Sequence, residues 1–353
     1  MKIAVIGAGN GGQAIAGYLG MMGHKVNLYE RSLNKVGRII DHKGVFLTGE
    51  IEGFGKVALV TDKIQECIEN CPLIMVVTTA DAHAEMAENI APFLKDGQVL
   101  VLNPGRTLGA VEVKSRIKSL RPNLRVFVAE TQSLIYACRV EIPGTVRIIG
   151  VKKLVPIAAY PKMDIDKVLD LTQPIYPAFK PVSSTLITGL ENIGAIFHPG
   201  IIIANASRIE RGESFYFYND ITPGVANILE NLDRERCEIG AAYGIQLRPA
   251  IDWIVDAYDG IEGETLYDRM KNNPAYAQIR SPQTLNSRLL FEDIPTGLVP
   301  MIELGRLVGL EMRIMESLVN ISSVLLNKDF YLYGRTLRSL FSNSYSKQLI
   351  KEI

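Results

Sequence analysis

Residues 1–12 constrain the fold of this chain more than any other segment does. Residues 3–6 form a short apolar run with β-branched side chains, which is typical of a buried parallel strand. The run leads directly into Gly7-x-Gly9-x-x-Gly12, and residues 13–22 then repeat apolar side chains at helical spacing. This succession predicts a dinucleotide-binding turn, because the glycines let the backbone approach a pyrophosphate and the helix N-terminus offers it free N–H groups.

An acidic residue ends the second predicted strand, residues 25–30, and so completes a βαβ unit. A carboxylate at this place accepts hydrogen bonds from the adenosine ribose and repels the 2′-phosphate of NADP. Glu30 therefore favours NAD. Arg31 follows at once, and an arginine there stacks on adenine or pairs with a 2′-phosphate, so NADP stays open as the alternative.

Two further predicted strands, residues 73–79 and 98–103, end in polar residues. Ligands of open α/β sheets lie outside the carboxyl ends of the strands, so these residues are expected to border the nicotinamide. Threonine and asparagine also favour turns for purely local reasons, which is the alternative explanation. The residues predicted to contact the cofactor are Gly7, Gly9, Asn10, Gly12, Glu30, Arg31, Thr78, Asn103 and Gly105.

The composition argues against several classes of partner. The 38 basic and 38 acidic residues give a net charge of zero and form no block of like charge, which disfavours nucleic acid and anionic membranes. No apolar run reaches the length of a membrane span, and the first residues read as a core strand, not as a signal peptide. We therefore expect a cytoplasmic protein that acts on small molecules, and a homodimer is one open arrangement.

The four cysteines show no framework of secreted disulfides. Cys67 and Cys71 are four residues apart on a predicted helix, yet no histidine or further cysteine clusters with them. No metal site is therefore expected.

The character of the chain changes near residue 183, after a cluster of prolines. Strand-like segments alternate with helices before this point, and long helical patterns dominate after it. We assign residues 1–183 to an α/β dinucleotide-binding domain and residues 184–353 to an all-helical domain with the substrate and catalytic residues. The helical patterns cover residues 186–197, 201–209, 222–244, 249–258, 267–272, 299–308 and 311–327.

One histidine stands out in the second half of the chain. His198 is the single histidine after His83, and it lies between an apolar segment and Pro199. Histidine titrates near neutral pH, and a dehydrogenase needs a proton donor, a carboxylate to orient it and a cation to hold an anionic substrate. Asp293 and Arg288 fit the last two roles by residue type. A core histidine, a turn aspartate and a solvated arginine are the structural alternatives.

Several motifs together resemble one family, the opine dehydrogenases, which include the octopine and nopaline dehydrogenases. The resemblance extends over most of the chain, and the histidine–proline segment combined with the EDIP segment is its most specific part. The motifs are GAGNGG at 7–12, NPGRT at 103–107, ENIGAIFHP at 191–199, YNDITPGV at 218–225, LDRE at 232–235 and EDIPTGLVP at 292–300.

The resemblance implies a Rossmann domain followed by an all-α domain of the 6-phosphogluconate-dehydrogenase type. It implies the reversible reductive condensation of an L-amino acid with a 2-oxo acid, pyruvate before others, by NAD(P)H. It implies that His198 is the acid/base, that Asp293 orients it and that Arg288 binds a substrate carboxylate. Further substrate contacts are expected in one segment, at Glu130, Gln132 and Tyr136.

Two other functions compete with this interpretation. A glycerol-3-phosphate or ketopantoate-type reductase is expected to use a lysine early in the helical domain, whereas no lysine lies between Lys180 and Lys271. A non-catalytic nucleotide-binding redox sensor would be favoured by a broken histidine–aspartate pair, but both residues are present.

Overall fold

The computed structural model describes residues 1–258, 260–341, 345–351 and 353, which divide into two compact units. Met1–Thr188 and Ile353 belong to the first unit, and Gly189–Lys351 belong to the second. Residues 184–188, assigned to the helical domain from the sequence, thus pack with the first unit. The Thr185 N–H and hydroxyl both donate to the Ile353 carbonyl oxygen, and the Thr188 hydroxyl donates to buried Glu130.

A mainly parallel sheet forms the centre of the first unit. Within the described residues it has eight strands in the order β12-β11-β8-β7-β6-β1-β2-β5, and the β8–β11 pair is antiparallel. Its central strands are buried along their whole length, because helices cover both faces. The predicted α/β class is confirmed. The strands are β1 Lys2–Ile6, β2 Lys25–Tyr29, β5 Leu59–Thr61, β6 Leu73–Val76, β7 Val99–Leu102, β8 Phe127–Thr131, β11 Val155–Tyr160 and β12 Phe179–Pro181.

A second, smaller sheet in the first unit was not predicted as such. Its order is β4-β3-β10-β9, in which β3 and β10 are parallel and the outer pairs are antiparallel. Its first two strands are short and contain several glycines, so their sequences carry a weak strand signal. These strands are β3 Gly44–Gly49, β4 Gly53–Lys56, β9 Tyr136–Ile142 and β10 Thr145–Val151.

The helices of the first unit connect the strands of the main sheet and cover its faces. The first of them follows the glycine turn directly. They are α1 Asn10–Met21, α2 Gly37–His42, α3 Ile64–Ile68, α4 His83–Ile90, α5 Gly109–Leu120 and α6 Ile165–Thr172, and the next helix, α7 Thr185–Leu190, begins in the first unit and ends two residues beyond it.

The second unit is helical, as predicted. The long helix α10 packs against α8 and α15, and α8 also contacts α13. Its helices are α8 Ile193–Ala204, α9 Ala206–Glu210, α10 Pro223–Ala242, α11 Ala250–Ala257, α12 Leu266–Lys271, α13 Arg288–Phe291, α14 Val299–Leu307, α15 Arg313–Leu325, α16 Phe330–Tyr333, α17 Leu337–Phe341 and α18 Lys347–Lys351.

The helix that carries His198 differs from the prediction. A break before Pro199 was expected, but the chain breaks at Glu191–Asn192 and α8 then runs through the proline. The Asn192 side chain caps the first turn by accepting from the Ala195 N–H, and the proline removes only one backbone hydrogen bond within a buried helix. The segment Thr185–Ala204, which contains α7 and α8, has the length and the hydropathy of a membrane span. It is mostly buried inside the protein, as expected of core helices.

A π-helical turn, Ile294–Leu298, connects α13 to α14. It is buried along its whole length and packs against α8. A Cβ on Gly297 would collide with the Ala195 side chain, so the turn approaches α8 closely. Asp293 is the residue immediately before this turn.

Candidate active site

The predicted cofactor residues of the first unit meet at one edge of the main sheet. Strands β2, β1, β6 and β7 are adjacent and parallel, so their carboxyl ends point the same way. The Gly7 N–H donates to the Tyr29 carbonyl at 3.0 Å, and the Asn103 N–H donates to the Val76 carbonyl at 2.8 Å. The edge therefore presents the glycine turn beside the ends of the neighbouring strands.

The glycine turn has the geometry that a pyrophosphate needs. Gly7 has a φ of +100°, and a Cβ on Gly12 would collide with the Gly7 carbonyl oxygen, so neither position accepts a side chain. Helix α1 begins at Asn10, and Gly9 before it provides no side-chain cap. The space in front of Gly9 is open. Backbone N–H groups at the start of α1 are thus available for phosphate oxygens.

Glu30 lies beside this turn. Its carboxylate accepts from the Ala8 N–H at 3.3 Å and from the Ser32 N–H at 3.2 Å. This is the place at which a ribose hydroxyl is recognised in dinucleotide-binding folds. Two other residues that were predicted to contact the cofactor have protein partners. Arg31 is exposed and lies 3.8 Å from the Glu85 carboxylate. The Asn10 side chain accepts a hydrogen bond from the Val140 N–H.

Two buried polar atoms at the same edge have no hydrogen-bond partner among the described residues. They are Oγ1 of Thr78 and Oδ1 of Asn103. The Asn103 amide nitrogen is fixed by donation to the Val101 carbonyl at 2.8 Å, and the next peptide bond, to Pro104, is cis. Buried polar atoms normally have partners, so these two fit a ligand with polar groups such as a nicotinamide. The residues present therefore suit a dinucleotide.

The predicted substrate contacts of the first unit have other surroundings. The Glu130 carboxylate is fully buried and accepts from the Ala110 N–H at 2.7 Å and the Thr188 hydroxyl at 2.6 Å. Tyr136 packs in the core beside Tyr18 and Tyr176, and burial raises the pKa of its phenol. These contacts favour a structural role for both residues. The Gln132 N–H donates to the Pro156 carbonyl.

His198 and Asp293 meet in the second unit. Nδ1 of His198, on α8, lies 2.7 Å from Oδ2 of Asp293, whose side chain is only 1% exposed. A carboxylate in this position keeps the Nδ1 proton in place and stabilises the imidazolium. The structure thus brings together the two residues that were predicted to form the proton-transfer pair.

Tyr218 is a third member of this cluster, and the sequence prediction missed it. Its hydroxyl lies 2.9 Å from Nε2 of His198, and its ring packs against Phe217 and Tyr276. The only signal was its position at the start of the motif YNDITPGV. A tyrosine in a loop has no periodicity from which its partner can be inferred.

Arg288 has a protein partner. Its Nη1 donates to Oε2 of Glu292 at 2.8 Å, while 57% of its side chain stays exposed. The helix that carries Arg288, α13, packs against α8. The guanidinium therefore lies on an element adjacent to the histidine helix, and much of its surface is accessible.

The LDRE motif builds the scaffold of the helical unit. Arg236 is fully buried and donates to Asp233, which also accepts from the Ala250 N–H at 2.7 Å. The Glu235 carboxylate accepts from the N–H groups of Ile314 and Met315 at the start of α15. The motif thus joins α10 to α11 and α15.

In the described part of the chain, histidine, cysteine, aspartate and glutamate side chains form no group of three or more that could hold a metal ion. Cys67 and Cys71 are buried free thiols, and burial raises the pKa of the Cys71 thiol to about 11. Neither cysteine has the lowered pKa that characterises a reactive thiol.

The first unit has a mainly parallel sheet with a glycine turn that suits a dinucleotide. The helical unit after it has a histidine hydrogen-bonded to a buried carboxylate. This combination defines a nicotinamide-dependent dehydrogenase. Comparisons with known proteins give the family. Residues 181–326 match the family described as NAD/NADP octopine/nopaline dehydrogenase, alpha-helical domain. Residues 2–105 match the NAD-dependent glycerol-3-phosphate dehydrogenase N-terminus.

Two relatives that match along nearly their whole length carry the names of opine enzymes. The chain is 35% identical to an opine dehydrogenase of Arthrobacter sp. (strain 1C), over 96% of this chain and 94% of that protein. It is 24% identical to a vitopine synthase of Allorhizobium ampelinum, over 96% and 95% of the two chains. The chain therefore belongs to the opine dehydrogenase family, NAD(P)-dependent oxidoreductases that act on the CH–NH group of a secondary amine.

Solved structures share the fold. An octopine dehydrogenase determined with NADH and L-arginine superimposes with a TM-score of 0.83 at 17% identity. The superposition covers 100% of this chain and 98% of the other. The Rossmann domain followed by a helical domain is thereby confirmed.

Proposed function

We propose that this protein condenses an L-amino acid with a 2-oxo acid, pyruvate before others, and reduces the product to an N-(carboxyalkyl) amino acid. The reaction is reversible. The observation that carries the proposal is the 2.7 Å contact between His198 and buried Asp293 in a helical unit that follows a dinucleotide-binding unit. The relative named opine dehydrogenase and the octopine dehydrogenase solved with NADH and pyruvate support the choice of substrates.

His198 moves the protons of this reaction. Addition of the amine to the oxo acid gives a carbinolamine, whose hydroxyl must be protonated before it leaves as water. The imidazolium of His198 supplies this proton, and Asp293 stabilises the charged ring while holding it in one tautomer. The cofactor supplies a hydride to the imine carbon when it is bound. In the oxidative direction neutral His198 takes the proton back.

The residues of the first unit that suit the cofactor divide by the part they would hold. The N–H groups around Gly9 and at the start of α1 suit the pyrophosphate, and Glu30 suits the ribose hydroxyls. Thr78 and Asn103 have buried oxygens that suit the carboxamide of the nicotinamide. Glu30 makes NAD the preferred cofactor, because its carboxylate would repel a 2′-phosphate.

Arg288 is the proposed ligand for a substrate carboxylate. A guanidinium holds a carboxylate through two parallel hydrogen bonds. Glu292 accepts a hydrogen bond from Nη1 of Arg288, and 57% of the Arg288 side chain is exposed. The other N–H groups of the guanidinium are therefore left as donors for a substrate. Glu292 then fixes the orientation of the arginine. We further infer that the enzyme works on small molecules in the cytoplasm.

The test is the oxidation of NADH and of NADPH by the purified protein with pyruvate and a panel of L-amino acids. Each substrate is omitted in turn. Oxidation that requires both pyruvate and one amino acid supports the proposal and identifies the amino acid. Oxidation with the oxo acid alone would identify a simple reductase and contradict it. Cofactor binding without turnover across panels of both substrates would favour a nucleotide sensor.

A further inference from the structure

The hydroxyl of Tyr218 is hydrogen-bonded to Nε2 of His198, the ring nitrogen that faces away from Asp293 and that the proposed reaction uses. Tyr218 Oη lies 2.9 Å from Nε2, while Asp293 lies 2.7 Å from Nδ1 on the other side of the ring. An ionised Asp293 keeps the ring proton on Nδ1, so Nε2 of the neutral imidazole carries a lone pair. The Tyr218 hydroxyl is therefore the donor in this hydrogen bond.

Neighbouring aromatic side chains hold the Tyr218 ring in place. Its centroid lies 4.0 Å from that of Tyr276 in a stacked arrangement, and Phe217 meets it edge-on at 4.8 Å. Tyr218 is 8% exposed and Tyr276 is 5% exposed. Tyr276 in turn contacts Tyr258, with ring centroids 5.3 Å apart. Moving the Tyr218 ring away from His198 would break this stack, which disfavours a simple displacement by substrate.

The backbone around Tyr218 is fixed as well. The Phe217 N–H donates to the Ile279 carbonyl at 2.7 Å, and the Ser281 N–H donates to the Phe215 carbonyl at 3.0 Å. The Arg280 guanidinium lies over the ring of Tyr216, 4.2 Å from its centre. Two segments distant in sequence thus hold the hydroxyl at the histidine.

We propose that Tyr218 relays the proton between His198 and the substrate, an inference that rests on the function proposed above. In the reductive direction the Nε2–H bond of the imidazolium breaks as an O–H bond forms on Tyr218. The original Tyr218 O–H bond breaks, and its proton joins the carbinolamine hydroxyl. The C–O bond then breaks, water leaves and the nitrogen lone pair forms the C=N bond. Tyr218 is neutral before and after, and His198 ends neutral.

The relay predicts that Tyr218 matters for turnover and not for affinity. Tyr218→Phe keeps the ring and its stack but removes the hydroxyl. We expect kcat to fall about 100-fold, because a positioned proton donor contributes roughly 10²- to 10⁴-fold. The KM of the amino acid and the Kd of NADH should stay within about threefold of wild type, since the hydroxyl is assigned to proton transfer and not to the binding of either ligand. Melting temperature checks that the variant is folded.

Tyr276→Phe is the matched control. It also removes one buried tyrosine hydroxyl from the same aromatic stack, but the hydrogen bonds of the His198 ring in the described structure go to Asp293 and Tyr218. We expect its kcat to stay within about threefold of wild type, an effect too small for a general acid or base. An equal loss of kcat in Tyr218→Phe and Tyr276→Phe would mean that packing is responsible and would overturn the relay.

His198→Ala separates this inference from the function on which it rests. If His198→Ala is inactive while Tyr218→Phe turns over like wild type, the histidine acts directly and the relay is wrong. If His198→Ala keeps full activity, the proton-transfer role of His198 fails and the relay fails with it, whereas the proposed function fails only if turnover does not require both substrates. Should Tyr218→Phe fold poorly, kcat of the wild-type enzyme is measured in mixtures of light and heavy water. If two protons move in the same step, kcat falls along a curve as the fraction of heavy water rises. A straight line indicates one moving proton and contradicts the relay.

Discussion

Oδ2 of Asp293 lies 2.7 Å from Nδ1 of His198, although 95 positions separate the two residues in the chain. The contact joins the helix α8 to the residue that precedes the π-helical turn, and 1% exposure of the carboxylate keeps water from weakening it. A buried carboxylate hydrogen-bonded to Nδ1 holds the imidazole ring in one orientation and selects a single tautomer of the neutral ring. The contact is therefore the most direct place to test the mechanism.

Asp293→Asn should reduce kcat by roughly 10²- to 10⁴-fold while leaving the Kd of NADH unchanged. The amide has the shape of the carboxylate but cannot stabilise the imidazolium, and it no longer enforces the Nδ1–H tautomer. Steady-state kinetics and fluorescence titration with NADH give the two values. Asp252→Asn, on an exposed carboxylate of the same unit, is the control. A variant with wild-type kcat would show that the pair is structural.

Glu30→Gln should weaken NADH binding by about tenfold and improve the affinity for NADPH. A hydrogen bond to a charged group contributes about 1.5–3 kcal/mol, and removing the charge also removes repulsion of a 2′-phosphate. Titration of both cofactors measures the change. Glu88→Gln serves as the comparison, because Glu88 is an exposed partner of Arg116. An unchanged ratio of the two affinities would remove Glu30 from the ribose site.

Arg288→Lys should raise the KM of the oxo acid by about tenfold and lower kcat less. Lysine keeps the charge but loses the planar pair of donors that grips a carboxylate. Initial rates at varied oxo acid and amino acid show which substrate is affected. Arg313→Lys is a suitable control, since Arg313 is also paired with a glutamate but is largely exposed. If both KM values stay at wild-type level, Arg288 binds only Glu292.

Asp233→Ala should destabilise the protein by about 3–5 kcal/mol, because it leaves the Arg236 guanidinium buried without its carboxylate. The expected fall in melting temperature is roughly 10 °C. Asp170→Ala breaks an exposed ion pair with Lys167 and should cost less than about 1 kcal/mol. Equal melting temperatures for the two variants would contradict the structural role given to the LDRE motif. The KM values of folded Asp233→Ala should match those of wild type.

The first unit was largely predictable because its signals are local. Strand β1, the glycine turn and helix α1 follow one another within residues 2–21, so hydrophobic periodicity and glycine chemistry suffice. The sheet β4-β3-β10-β9 was not predictable in the same way, since its parallel pair joins β3 to the distant β10. No local pattern encodes such a pairing.

The site in the second unit was predictable only in part. Residue types and family resemblance indicated His198 and Asp293, and the structure brings them into contact. Tyr218 was missed because a loop tyrosine reaches the histidine through tertiary packing alone. Pro199 was expected to end a helix, but the surrounding burial and the Asn192 cap outweigh its missing N–H.

The π-helical turn after Asp293 makes the direction of the Asp293 side chain depend on the number of residues in the turn. A π turn accommodates one residue more than an α turn, and each residue of an α-helix rotates the chain by about 100°. Deleting a single residue from Ile294–Leu298 would restore regular winding and swing the carboxylate of Asp293 to another side of its helix. Substitutions within the turn, apart from those at Gly297 that would collide with Ala195, leave that register intact. In this part of the protein, insertions and deletions are therefore a sharper threat to the chemistry than changes of side chain.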